Sequence, residues 1–204
     1  MEAQNAFLFA GRVATLEGRP VAAVAAFKTA RCLQEDPHAR LLIGRSLKEA
    51  NDLDGALAEY EAGLGHASIT EDPSVAAELH RAIAGILLER RSFGRALRQL
   101  NRARELEEPL REYRGLGKTS EMLGDLWAPR PRYRNAAKTA YRKAIECFER
   151  AGDQRDVRRI KRKLSVLRGE QKSDGKIVRA LVWAAELMSR LAERLRARAN
   201  RKGG

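Results

Sequence analysis

The chain is poor in the residues that build disulfide-rich, β-rich and membrane-spanning proteins. Its 204 residues include two cysteines and 5% aromatic residues. Two cysteines cannot form a disulfide framework, so we expect Cys32 and Cys147 to be small buried hydrophobes in a reducing compartment. No segment approaches the roughly 18 uninterrupted apolar residues of a membrane span, and Glu2, Gln4 and Asn5 interrupt any secretory signal at the start. We therefore predict a soluble, cytoplasmic protein.

The sequence also lacks any residue set with the spacing of a catalytic or metal site. His38, His66 and His80 are scattered and do not match zinc-ligand spacing. The segment 115–119 resembles the end of a phosphate-binding loop, but the upstream glycine and the preceding strand are missing. We therefore expect a protein that is not an enzyme, with no catalytic residue, no metal site and no cofactor.

Helix-forming residues and unevenly distributed charge dominate what is present. Alanine, leucine, arginine and glutamate are abundant, and they lose little side-chain entropy in a helix. Residues 1–110 carry 14 Lys/Arg against 16 Asp/Glu, a balance of −2, whereas residues 111–204 carry 26 against 11, a balance of +15. A basic half of this kind suits an anionic partner, although a solvated basic surface has the same composition.

A triplet of a small, a large and a small residue recurs four times with identical internal spacing. An upstream small residue lies 12 positions before the triplet in the first three copies, with turn-forming residues between the two. Each copy is therefore predicted to be a helix, a short turn and a second helix, with the small residues where the helices cross closely. The triplets are Ala23-Phe27-Ala30, Ala56-Tyr60-Gly63, Ala96-Leu100-Ala103 and Ala137-Tyr141-Ala144, and the upstream residues are Gly11, Gly44, Ala84 and Gly117.

This pattern resembles the tetratricopeptide repeat (TPR) family. The first copy follows the family consensus nearly throughout, with Phe7, Ala10-Gly11, Ala14 and Gly18 ahead of its triplet. The resemblance covers about four repeats over residues 4–150. It implies an all-α fold, a right-handed α-solenoid of antiparallel helix hairpins with C-terminal capping helices. It does not identify a partner, because this fold binds many different ones.

Two departures from a regular period predict local changes. The upstream small residues are 33, 40 and 33 positions apart, which places residues 65–71 in a long loop before a helix with Asp72 as N-cap and Pro73 in its first turn. In the fourth copy, the 12-residue interval becomes 20. We therefore expect an enlarged turn over residues 127–134, which contain two prolines and cannot all be helical.

The last part of the chain is expected to cover the end of the solenoid. Val157, Ile160, Leu164 and Leu167 form one apolar helix stripe. We predict a solenoid domain over residues 1–168, a hinge over 169–175, and a basic amphipathic capping helix with a flexible tail over 176–204. Self-association through this last helix is an alternative to capping, and membrane binding is not expected because the cap needs the helix's apolar stripe.

The TPR resemblance implies a concave groove lined by the first helices of successive repeats. Several residues at the corresponding positions are basic, and such a row suits an acidic segment or C-terminal carboxylate of a protein partner. The asparagines with which some TPR proteins hold a chaperone's acidic tail are missing here. The groove residues so predicted are Leu8, Arg12, Leu41, Arg45, Lys48, Arg81, Leu88, Arg114 and Lys118.

A nucleic-acid-binding or ribonucleoprotein adaptor is the alternative function, acting through the basic residues 111–204. Phosphates would attract the arginines, and tyrosine or tryptophan side chains could stack on bases. The contacts so predicted are Arg130, Arg132, Tyr133, Arg134, Arg155, Arg158, Arg159 and Arg162.

Overall fold

The computed structural model describes residues 2–33, 36–69, 71–167, 169 and 183. Apart from Gly169 and Trp183, the predicted hinge and C-terminal helix over 169–204 lie outside these residues. The described part contains helices and no strand, which confirms the all-α prediction. A first compact unit comprises Met1–Ile160 and a second begins at Lys161, and we describe each by itself.

The helices of the first unit follow one another in antiparallel pairs: α1 packs on α2, α3 on α4, α5 on α6 and α7 on α8. A ninth helix, α9, begins at residue 154 and continues to residue 167. The helix bounds are α1 Glu2–Leu16, α2 Pro20–Leu33, α3 Pro37–Glu49, α4 Leu53–Ile69, α5 Pro73–Glu89, α6 Phe93–Leu110, α7 Tyr113–Trp127 and α8 Arg134–Arg150, with a 3-10 turn at Pro131–Tyr133.

Local sequence explains where several helices begin and end. Asp72 accepts a hydrogen bond from the backbone N–H of Val75, and Pro73 follows it at the start of α5, which confirms the predicted N-cap. Asp36 caps α3 in the same way through the backbone N–H of His38. After α3, Asn51 adopts a left-handed conformation (φ 63°), which ends the helix and turns the chain.

The predicted crossings of small and large residues form the core of each hairpin. Phe27 and Tyr60 are almost fully buried. The ring of Phe27 lies against Gly11 and the ring of Tyr60 against Gly44, so closely that neither glycine has room for a Cβ. In the third hairpin, Ala84 takes the place of the glycine and Leu100 takes the place of the aromatic residue. Both are fully buried.

The loop predicted over residues 65–71 is wrong for residues 65–69, because α4 continues to Ile69. The inserted residues lengthen both α4 and α5 by about one turn, since each has 17 residues against 14 in α2 and 13 in α3. Ala67 is buried in the core that α4 shares with α5, and Leu64 packs on the same cluster. No proline lies between Leu53 and Pro73, so no proline stops the helix while it still has an apolar surface to cover.

In the fourth hairpin, Gly124 rather than Gly117 lies at the crossing with the triplet aromatic. The ring of Tyr141 packs on Gly124, whereas Gly117 faces Phe148, whose Cε1 would be 2.8 Å from a Cβ there. The interval from Gly124 to Ala137 is 13 residues, close to the 12 of the other hairpins. Most of the extra length predicted for the turn is therefore helix α7.

The turn between α7 and α8 is nevertheless enlarged, as predicted. It covers residues 128–133, twice the three residues between α1 and α2, and contains the 3-10 turn that begins at Pro131. Both cysteines are free, and Cys147 is buried as predicted. Cys32 is exposed, so the burial predicted for it is wrong.

Candidate functional site

The first helices α3, α5 and α7 meet along one surface, which we call the groove face. Helix α5 contacts both α3 and α7. Gly85 lies at the centre of this face: a Cβ there would be 3.6 Å from Nζ of Lys48 on α3 and 3.9 Å from Cε of Met122 on α7. The structure therefore brings residues of three successive hairpins within reach of one ligand.

Most of the predicted groove cations already contact carboxylates of this chain. Arg45 donates to Glu78, with Nη2 3.0 Å from Oε2. Nζ of Lys48 lies 2.6 Å from Oε1 of Glu89. These pairs join neighbouring hairpins and are partly exposed, so each contributes little to stability. They also lower the net positive charge that a partner would meet.

Arg114 is paired in the same way. Its Nη2 lies 2.9 Å from Oδ2 of Asp153, which follows α8. The pKa of Asp153 is lowered, chiefly by the hydrogen bond from the backbone N–H of Asp156 and further by Arg114. Arg114 is itself largely exposed, so it can still contact a partner's carboxylate.

Arg81 is buried, so little of its side chain is accessible to a partner. It is 8% exposed and pairs with Glu107, which is fully buried. Thr119 donates a hydrogen bond to the other oxygen of Glu107 at 2.8 Å. A Cβ at Gly115 would be 2.6 Å from Oε1 of Glu107, so this glycine lets α7 approach the pair. We call these four residues the buried ion-pair cluster.

The predicted apolar groove contacts are less accessible than the prediction requires. Leu41 is fully buried in the core, so its assignment as a partner contact is wrong. Leu8 and Leu88 are half-buried and pack on core clusters. Arg12 is exposed on α1 and forms no ion pair within the described residues.

Lys118 lies close to other cations of the groove face. It has no ion pair among the residues that the structure describes. Partial burial lowers the pKa of its ammonium group, and the charges of Arg81, Arg114 and Arg45 lower it further, against one opposing carboxylate, Glu78. It lines a pocket of about 330 Å³ with two other cations, Arg81 and Arg114, and two carboxylates, Glu78 and Glu112. An anion in this pocket would relieve the repulsion among these cations.

Sequence reasoning missed the carboxylates that pair with the groove cations. A signal for them exists, because the partners lie about one repeat apart: Arg45 and Glu78 are separated by 33 residues and Arg114 and Asp153 by 39. No feature of the sequence indicates that Glu107 is buried, because acidic residues are frequent on exposed faces of helices.

The residues predicted to contact nucleic acid do not have a common environment. The guanidinium of Arg130 lies 3.8 Å from the ring centroid of Phe93, and Arg159 pairs with Glu121 and Asp156. Tyr133, by contrast, is 45% exposed. Arg132, Arg155, Arg158 and Arg162 are also exposed, and Arg134 is half-buried.

The described residues contain neither a metal-binding cluster nor a membrane-spanning helix. No group of three or more histidine, cysteine, aspartate or glutamate side chains there could hold a metal ion. None of the helices there is both long enough and apolar enough to cross a membrane.

The fold defines a class of protein. Helices α1 to α8 form four hairpins in which a small residue of the first helix meets a large residue of the second, and consecutive hairpins pack side by side. The chain is a TPR-like helical repeat array, an α-solenoid, as its sequence predicts. No family model and no characterised protein matches the sequence itself.

Solved structures share this architecture over most of the chain. The apo form of RapI has a TM-score of 0.72 and 15% identity, and the alignment covers 83% of this chain and 64% of RapI, less than two thirds of its length. BtubC from P. vanneervenii has a TM-score of 0.59 and 16% identity, and the alignment covers 79% of this chain and 78% of BtubC. TPR-like repeats of a putative kinesin light chain from Podosopora anserina have a TM-score of 0.48 and 9% identity. That alignment covers 83% of this chain and 96% of the kinesin light chain structure. At such identities, the likeness concerns the fold alone.

Proposed function

We propose that this chain is a non-enzymatic TPR scaffold that binds an acidic segment of a protein partner on its groove face. The observation that carries the proposal is Lys118, an exposed cation with no ion pair among the described residues, which lines one pocket with Arg81 and Arg114. Arg114 is largely exposed beside it and completes the anion-binding part of the pocket. A carboxylate placed there gains charge-assisted hydrogen bonds from both side chains.

The pairs between Arg45 and Glu78 and between Lys48 and Glu89 set the specificity of this groove. A partner carboxylate must compete with Glu78 and Glu89 for their cations, so a single acidic residue binds weakly there. A segment with two or more acidic residues can contact Lys118 and Arg114 first and then exchange with the internal carboxylates. We therefore expect affinity to rise with the number of acidic residues in the segment.

Charge reversal at Lys118 tests the proposal. The probe is a fluorescein-labelled peptide of alternating leucine and aspartate with a free C-terminal carboxylate, titrated with the full chain and followed by fluorescence polarisation. Lys118→Glu should weaken binding at least about tenfold, because a hydrogen bond to a charged group contributes about 1.5–3 kcal/mol. Lys28→Glu is the matched control, since Lys28 is exposed on α2 and not part of the groove face.

The two variants distinguish a specific groove from general attraction by a basic protein. Equal loss in Lys118→Glu and Lys28→Glu would show that only net charge matters, and unchanged binding in a folded Lys118→Glu would remove the groove assignment. Far-ultraviolet circular dichroism of both variants checks that each retains its helices.

A nucleic-acid-binding role is the second candidate, favoured by Arg155 and Arg158 on α9. Both are exposed, and neither has an ion pair within the described part of the chain. Labelled single-stranded RNA would then bind with a steep salt dependence, with a slope of about 0.7 per phosphate contacted. The double variant Arg155→Glu, Arg158→Glu should abolish RNA binding and leave the acidic peptide bound. The opposite result would exclude this candidate.

A further inference from the structure

Helix α7 carries an apolar cleft on the side away from the groove face. Ser120 is two residues from both Lys118 and Met122, which is about 200° around the helix. The cleft has a volume of about 440 Å³ and lies among α6, α7 and α8. Leu116, Leu123 and Ser120 line it together with the half-buried ring of Trp127. Its size and apolar lining are typical of sites that accept a ligand group or an anchoring side chain.

The hydroxyl of Ser120 lies in this cleft. Ser120 is 5% exposed, and its hydroxyl makes no hydrogen bond within the part of the chain that the structure describes. An occupant that offers a hydrogen-bonding group can therefore bind Ser120, whereas an entirely apolar occupant leaves this hydroxyl without a partner.

The charged residues at the cleft favour an occupant in which an acidic residue lies next to an apolar group. Arg104 and Lys143 are half-exposed and line the cleft with one carboxylate, Glu108. Their contacts within the chain are long: Nε of Arg104 is 3.9 Å from Glu108, and Nζ of Lys143 is 3.4 Å from Glu146. Exposed pairs of this kind contribute almost nothing, so both cations are available to a partner carboxylate.

The equivalent cleft one repeat earlier has different chemistry. A cleft of about 460 Å³ lies among α4, α5 and α6, and His80 occupies the position 40 residues before Ser120. Nδ1 of His80 lies 2.5 Å from Oε1 of Gln99, so the half-buried polar side chain there has its partner. Burial lowers the pKa of His80, which favours the neutral imidazole. Glu71 and Asp72 line this earlier cleft, so its charge is opposite.

We propose that the cleft among α6, α7 and α8 binds an apolar side chain of a protein partner, in a segment where an acidic residue adjoins that side chain. The side chain packs on Leu116, Leu123 and Trp127, a backbone group of the segment hydrogen-bonds to Ser120, and the acidic residue pairs with Lys143 or Arg104. The proposal is independent of the groove face, since the two sites share no residue.

Tryptophan fluorescence of the full chain can test this site. The sequence has two tryptophans, so Trp183→Phe leaves Trp127 as the only one. The probes are three capped tetrapeptides, Gly-Leu-Glu-Gly, Gly-Leu-Lys-Gly and Gly-Ser-Glu-Gly. We expect a saturable change with the leucine–glutamate peptide and binding about tenfold weaker for the other two, because each lacks one of the two interactions. Equal responses to all three, or none up to about 10 mM, would overturn the proposal.

A large side chain introduced into each of the two clefts in turn provides the matched control. Ala140→Phe occupies the proposed site, and Ala76→Phe occupies the earlier cleft. Only Ala140→Phe should abolish the response, and the proposal fails if a folded Ala140→Phe still binds or if Ala76→Phe abolishes binding equally. Ala140 is buried, so Lys143→Glu serves as a second variant that leaves the core unchanged. It should remove the preference for glutamate over lysine, and a preference that persists contradicts the proposal.

Discussion

Gly124 has the ring of Tyr141 so close to its backbone that no side chain fits at this position. The hydroxyl of Tyr141 donates to Oδ1 of Asp125 at 2.7 Å, which holds the ring in place. Burial raises the pKa of this hydroxyl, and the hydrogen bond to Asp125 raises it further. The ring therefore cannot move aside without breaking a hydrogen bond.

Gly124→Ala should consequently lower the free energy of unfolding by about 1–3 kcal/mol, the usual cost of overpacking a core. Urea unfolding followed by circular dichroism measures this change. Gly65→Ala on α4 is the matched control, because a Cβ there meets no atom within 4 Å. Alanine is favoured over glycine in helices by up to about 1 kcal/mol, so this variant should be at least as stable as the wild type. Unchanged stability of Gly124→Ala would contradict the crossing of α7 and α8 at Gly124.

The same glycine shows why the fourth repeat was partly misassigned. Gly117 and Gly124 are seven residues apart, nearly two helical turns, so both lie on similar faces of α7. Sequence spacing cannot tell them apart, because each is compatible with a close helix crossing. The choice depends on which aromatic ring each one meets, and only the packing of α8 decides that. When Gly124 replaces Gly117 as the reference glycine, the groove positions of α7 stay on the same face of the helix. They move by about 10 Å along its axis.

At the scale of elements, the buried ion-pair cluster joins α5, α6 and α7. Arg81 and Glu107 are both buried, and Thr119 completes the hydrogen bonding of the carboxylate. Removing one member of a buried pair leaves an uncompensated charge, which costs about 3–5 kcal/mol. Glu107→Leu should therefore be strongly destabilising, as measured by urea unfolding.

The double variant Arg81→Leu, Glu107→Leu is its control. Replacing both charges with apolar side chains removes the desolvation penalty together with the attraction, so the double variant should be more stable than Glu107→Leu alone. If the two effects simply add, Arg81 and Glu107 do not interact as a pair, and this ion pair does not help to hold α5 against α6.

The sequence predicts a helix boundary correctly where the residues that set the boundary act within one turn. Asp72 and Pro73 begin α5 as predicted, because an N-cap carboxylate and a first-turn proline act on backbone groups of the same turn. The end of α4 did not follow, because residues 65–69 remain helical through packing on α5. A helix with no local stop signal continues while it has apolar surface to cover.

At the scale of the whole molecule, the apolar core is unevenly distributed along the repeats. The cluster around Leu79, Leu87 and Leu100 draws on α3 to α8, whereas that of the first hairpin is smaller. The first hairpin also exposes large apolar side chains, among them Phe9 and Leu16. In a repeat protein, each hairpin is stabilised only by itself and its neighbours.

Native-state hydrogen exchange should therefore vary along the chain. We expect the amides of α1 and α2 to exchange at least about tenfold faster than those of α5 and α6, because less apolar surface must be exposed to open the first hairpin. Hydrogen-exchange mass spectrometry of the full chain measures both. The loop regions serve as the unprotected reference. Uniform protection from α1 to α8 would instead indicate a single cooperative unit.

The sequence by itself determined the helical class, the hairpins and their TPR-like crossings, because a small–large–small triplet at regular spacing is a local pattern that repeats. It also determined the start of α5 and the widened turn before α8, since proline and capping residues act within one turn. Only the tertiary structure decided that Gly124 meets Tyr141, that Leu41 and Arg81 are buried, and that the groove cations pair with carboxylates about one repeat away. These outcomes depend on which side chains meet between helices, and that is set by packing across hairpins rather than by any one segment.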